Sequence, residues 1–146
     1  MSEPKTIELK WDGYHRESNL STMKNHQCGG VYAVYREMRI LPFVKELLYI
    51  GRSNDISERP TNPSHHARPC WKKHLKPNER LWFSFADVVD EELAEAAIIH
   101  HLTQKCSMKL SCNKIRFEKF DHEETTIINT GKHDDIPDKF IVERTT

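Results

Sequence analysis

The sequence predicts an α/β domain, a small and mostly antiparallel three-stranded core sheet flanked by helices, with an N-terminal strand before it and a C-terminal extension after it. Three observations predict this. Residues 30–37 (GVYAVYRE) and 45–52 (KELLYIGR) are rich in β-branched and aromatic side chains, and the connection between them is too short for a helical crossover, so they pair antiparallel. A third run of the same character, residues 80–89 (RLWFSFADVV), leads into a stretch with helical periodicity, residues 91–105. Finally, 146 residues with 37% hydrophobic and 30% charged side chains suit one water-soluble core, so residues 1–146 form a single domain.

In chain order, residues 6–11 (TIELKW) alternate like an edge strand and end at the turn signal Asp12-Gly13. The first core strand starts after Gly29-Gly30, and Pro42 interrupts the loose hairpin to the second. Residues 53–59 form a short helix, capped by Ser53 or Asn54 and stopped by Pro60. Residues 65–75 form another helical piece before the third strand. Asp90 caps the long helix, which puts Leu93, Ala97 and Leu102 on a stripe facing the sheet and Glu91, Glu95 and Gln104 toward other sides. Beyond it, the apolar patches at 115–120 and 125–128 and the tail ending in Phe140-Ile141-Val142 have no assigned place, and residues 114–146 are expected to be an irregular extension.

The formal net charge is zero, which argues against a protein that coats nucleic acid by bulk electrostatics. Its distribution is uneven. Residues 52–80 carry seven Lys or Arg against three acids, whereas residues 118–143 carry eight acids against three lysines. A polyanion is expected to meet the first window, with Arg52, Arg59, Arg68, Lys72, Lys73 and Lys76 as its contacts. The first residues have no apolar targeting core and no segment approaches membrane-spanning length, so a cytoplasmic location is expected, with Cys28, Cys70, Cys106 and Cys112 as free thiols. Cys70-x3-His74 and Cys106-x5-Cys112 lack the compact paired spacing of a strong zinc site, and packing accounts for these cysteines.

Gly30-Val31-Tyr32, followed by an intact Tyr49-Ile50-Gly51, resembles the paired signatures of the GIY-YIG nuclease family, over roughly residues 29–113. Each tripeptide alone occurs by chance in ordinary strands; the ordered conjunction is specific. The resemblance extends to Arg59, ten positions after Tyr49, to Glu95 on the helix after the third strand, and to Asn113 near the end of the core. It implies a catalytic set of Tyr32, Tyr49, Arg59 and Glu95, with Glu95 as ligand to Mg2+ (or Mn2+), and supporting roles for Arg52, His65, His66 and Asn113. Relatives often carry lysine where Arg52 stands. The tyrosines are also seventeen positions apart, which requires an inserted loop.

The residue types suit phosphodiester hydrolysis, which needs an activated water, stabilisation of added negative charge and a leaving group that can depart. One carboxylate gives a weak, largely hydrated metal site. A guanidinium offers a planar, permanent charge to a phosphate oxygen. Tyr32 is the candidate base and Tyr49 the residue that orients water or phosphate, although the sequence leaves these two roles exchangeable. His65 or His66 is the candidate assisting base. The expected activity is metal-dependent endonucleolytic cleavage of DNA, with a protein partner as a source of specificity. The rival expectations are a nucleic-acid-binding module, or an accessory subunit, of the same fold with little or no catalysis.

Overall fold

The computed structural model describes residues 3–22, 29–38, 44–53 and 65–146. Its strands are β1 (Lys5–Arg16), β2 (Gly30–Met38), β3 (Val44–Ser53), β4 (Leu81–Asp87), β5 (Thr125–Gly131) and β6 (Lys139–Val142). Its helices are α1 (Arg68–Lys73) and α2 (Glu91–His100), the latter continued by a five-residue π-helical turn, His101–Lys105. The strands form one six-stranded sheet in the order β3-β2-β4-β1-β5-β6. All pairings are antiparallel except β1 with β5, which is parallel.

The expected three-stranded antiparallel core flanked by helices is therefore corrected to a six-stranded mixed sheet curled around a helix, α2, the one substantial helix among the described residues. The predicted hairpin is present, running from Gly30↔Ser53 to Met38↔Val44. The N-terminal strand, however, is not an edge. It lies between β4 and β5, and the supposedly irregular extension supplies β5 and β6. Alternation in residues 6–11 reports one buried face, which Ile7, Leu9 and Trp11 provide. It cannot report a partner whose register, Lys5↔Thr125 through Trp11↔Gly131, joins opposite ends of the sequence.

That parallel seam is locked by polar groups as well as by packing. Trp11 Nε1 donates to Asn129 Oδ1 at 2.8 Å, and Asn129 Nδ2 donates to the Pro137 carbonyl at 2.9 Å, so a buried indole and a buried amide are both satisfied. Gly131 has φ of 89°, and a Cβ there would stand 2.2 Å from the Trp11 carbonyl oxygen, so only glycine fits.

The inner face of the sheet holds α2. Leu93, Ala94, Ala97, Ile98 and Leu102 pack against Val31, Ala33 and Ile50, and against Leu9, Ile127 and Phe140 farther along the sheet. The expected single apolar stripe is wider in fact, because the curled sheet surrounds the helix and every residue from Leu93 to His100 except Glu95 is buried. Asp90 does not cap α2 through its side chain; its carboxylate holds Lys5 Nζ at 3.3 Å instead. Of the helix expected over residues 65–75, Arg68–Lys73 is helical, and the one expected over 53–59 falls outside the described residues except for Ser53, which ends β3. Among the described residues no helix is long and apolar enough to cross a membrane.

Candidate functional site at the β3 edge

A β-bulge creates the site. Val34 faces Tyr49 and Tyr35 faces Leu47, so Leu48 is one residue more than β2 can match. Without it, strict alternation would send Tyr49 toward α2. With it, Leu48 and Tyr49 both join Tyr32 and Val34 on the outer face, while Leu47 and Ile50 stay on the inner one. Gly51 lies opposite Tyr32, and a Cβ there would meet Tyr32 Cζ at 2.5 Å and Tyr49 Cε2 at 2.7 Å. The glycine of Tyr49-Ile50-Gly51 is thus the gap that lets the Tyr32 ring lie across β3.

On this outer face the two phenols meet two imidazoles. The rings of Tyr32 and Tyr49 are 6.0 Å apart, His65 stacks on His66 at 4.8 Å, and Trp71 of α1 packs on both Tyr49 and His65. The Ala67 N–H donates to His65 Nδ1 at 3.1 Å, which leaves the ring proton on Nε2. His65 therefore donates to the Tyr32 oxygen, 2.5 Å away. Tyr49 Oη and His66 Nε2 are 3.5 Å apart, at the outer limit of a hydrogen bond. Tyr32 and His65 are buried, whereas His66 is exposed.

From the inner face come Arg52 and Glu95. Arg52 lies opposite Val31, and its Nε is 3.3 Å from Glu95 Oε1 on α2. The two faces can meet because β3 is the last strand of the sheet. Its outward backbone groups are covered from outside: Asp135 accepts the Leu47 N–H at 2.9 Å, Cys112 N–H donates to the Leu48 carbonyl at 3.0 Å, and Asn113 both accepts from Ile50 N–H and donates to Ile50 C=O at 2.9 Å. Asn113 acts as a side-chain substitute for a neighbouring strand. Both ends of its amide are engaged there. Burial raises the Asp135 carboxyl pKa, with Asp134 and Glu46 adding to the shift against the pull of the Leu47 N–H.

Around this edge opens a cavity of about 560 Å³, lined by Tyr49, Arg52, His66 and Glu95 together with Asn113 and Lys114. Tyr32 and His65 stand behind the lining. Arg59 lies outside the described residues. Of the other basic residues, Arg68 and Lys72 both turn to Glu17, Lys72 at 2.6 Å, while Lys73 and Lys76 are exposed. Burial alone would raise the Glu17 pKa; the Lys72 hydrogen bond and the charges of Lys72 and Arg68 outweigh it and hold it below the ordinary carboxylate value.

Cys70 and Cys112 form a disulfide, which corrects the expectation of free thiols for these two; Cys106 is free and exposed. The lining also includes Ser53, Ile99, Ile115 and Phe117, none of which the sequence assigned to the site. Ser53 ends β3 and Ile99 lies on α2, while Ile115 and Phe117 belong to the loop after Asn113, which had no periodicity to mark it. Trp71 had a usable signal, since a large aromatic in a short basic helix needs a core to enter. Compared with protein-family models, with curated proteins and with solved structures, the chain gives no match.

Proposed function

We propose that this chain is a metal-dependent endonuclease that hydrolyses DNA phosphodiester bonds at the β3 edge, as its resemblance to GIY-YIG nucleases implies. One observation carries the reading: a phenol and an imidazole from one face of the sheet meet a guanidinium and a carboxylate from the other around a single open cavity. In this reading His66 and Tyr49, which line the cavity, orient the attacking water and take its proton. Tyr32 and His65 hold Tyr49 from behind, and the hydrogen bond that His65 donates favours negative charge on the Tyr32 oxygen. Arg52 exchanges its Glu95 partner for a non-bridging phosphate oxygen as substrate enters, which releases the carboxylate. Arg59 is the second cation assigned to the phosphate.

The donor set fits a hard, hydrated cation. Glu95 is the only carboxylate lining the cavity among the described residues, and it is half-buried on the wall. It would hold Mg2+ (or Mn2+) through its carboxylate with water completing the shell, and the ion would supply charge neutralisation at the departing oxygen. Lys73 at the end of α1 and Lys76 just beyond it extend the basic surface toward flanking phosphates, while Arg68 and Lys72 fix α1 to Glu17. We place the reaction in the cytoplasm, with a protein partner as a source of target choice.

A second reading, a nucleic-acid-binding module or accessory subunit with little or no catalysis, is favoured by the complete burial of Tyr32. Supercoiled plasmid, linear duplex and branched DNA incubated with Mg2+ or Mn2+ separate the two. The nuclease reading expects Glu95→Gln to reduce nicking at least about a hundredfold while DNA binding persists. Binding without cleavage by the wild type would support the module, and equal cleavage by wild type and Glu95→Gln would remove Glu95 from the mechanism.

A further inference from the structure

We propose that, when reduced, Cys70, Cys112 and His74 form a binding site for a soft divalent cation of the zinc class, and that metal and disulfide are alternative staples at one position. The site lies apart from Glu95 and does not depend on the nuclease reading. Cys70 lies on α1 and His74, four positions on, caps its C-terminus; the His74 N–H donates to the Cys70 carbonyl at 3.3 Å, so one helical turn presents both side chains on the same side. Cys112 comes from the segment that covers β3 and is fixed by its own N–H on Leu48. The two sulfurs and an imidazole nitrogen lie within 4.8 Å of one another, with Cys112 buried and the other two half-buried.

Tetrahedral zinc, with Zn–S near 2.3 Å and Zn–N near 2.0–2.1 Å, places such donors about 3.5–3.8 Å apart, so side-chain rotations suffice to assemble it. Two thiolates and an imidazole select zinc over Mg2+, which prefers oxygen. Their two negative charges balance the ion, and water takes the fourth position.

Switching from one staple to the other is a balanced reaction. A dithiol reductant attacks one sulfur of the Cys70–Cys112 bond and forms a mixed disulfide; its second thiol closes a ring and leaves as the oxidised reductant. Two electrons and two protons have then passed to the protein sulfurs. Metal binding displaces those two protons into solvent. Either staple ties α1, whose N-terminal approach carries His65 and His66, to the segment that carries Asn113. The chain thus has a way to hold its outer-face rings in place in a reducing compartment, where a disulfide does not persist.

Full-length protein reduced with dithiothreitol, then freed of reductant without air, is titrated with Co2+ as a spectroscopic stand-in for zinc. About one equivalent should bind with sulfur-to-cobalt charge-transfer and tetrahedral d–d bands, and Zn2+ should displace it and raise the thermal midpoint. Cys70→Ser and His74→Ala should lose the bands or shift them, whereas Cys106→Ser and Glu95→Gln should keep them. Circular dichroism establishes that each variant is folded, and the His74→Ala change leaves both cysteines in place should either cysteine variant fail to fold. Absence of the bands in the reduced wild type would overturn the proposal, as would their persistence in folded Cys70→Ser or undiminished binding by the oxidised protein.

Discussion

On the inner face of the sheet, α2 sets alanine, leucine and isoleucine against the strands, and Glu95 is the one unburied interruption between Leu93 and His100. On the outer face, α1 sets Trp71 against rings, and most of those rings end in an oxygen or nitrogen. Aliphatic packing tolerates no polar atom without a partner and supplies stability. A ring cluster keeps polar tips in fixed positions while its flat surfaces are buried. The comparison teaches that the two tasks are divided across one sheet and rejoined only where β3 ends.

The strongest way to break that division is in the inner core. Leu102→Ala should lower unfolding stability by about 2–5 kcal/mol, read by urea denaturation, with the near-ultraviolet dichroism of the folded protein retained. A matching loss of outer-face aromatic signal would show that the faces are not independent. Next in size, Gly51→Ala forces a methyl group into Tyr32 and Tyr49 and should destabilise by about 1–3 kcal/mol. Here the aromatic dichroism should change first.

Asn113→Ala sharpens the comparison at the meeting point. It strips two buried hydrogen bonds from Ile50 and should cost about 1–3 kcal/mol, at about 0.5–1.5 kcal/mol net for each. If cleavage is established, it should fall by more than the unfolded fraction accounts for. The smallest effect is expected at Glu17. Its folded pKa is depressed, so its contribution is present above the ordinary value of 4.5 and is lost as pH falls through the lower folded value. Glu17→Gln should therefore lower stability at neutral pH, by a modest amount because the ion pairs are partly solvated, and this loss should vanish in acid, which flattens the acid limb of the stability profile.

What could be read from the sequence was local. The β2–β3 hairpin, β4 and α2 announce themselves within a dozen residues through alternation or helical spacing. The β1–β5 pairing does not, because Thr125-Thr126-Ile127-Ile128 is too short to declare a partner more than a hundred positions earlier. At the site, Tyr32, Tyr49 and Glu95 were visible as a motif in order. The Leu48 bulge that turns Tyr49 outward, the paired hydrogen bonds of Asn113 to Ile50 and the donor role of His65 depend on tertiary register, which residue identities do not display. The disulfide was missed because the expected compartment argued against it while the fold brings Cys70 to Cys112.

The parallel seam between β1 and β5 also bears on how the chain is made. A ribosome releases β1 first, yet neither β4 nor β5 exists until far more of the message has been translated. For that interval the described strands that follow one carrying Ile7, Leu9 and Trp11 are those of the hairpin, and the hairpin is not its neighbour. Maturation should accordingly be late and abrupt, closing when the segment around Asn129 arrives to receive the waiting indole.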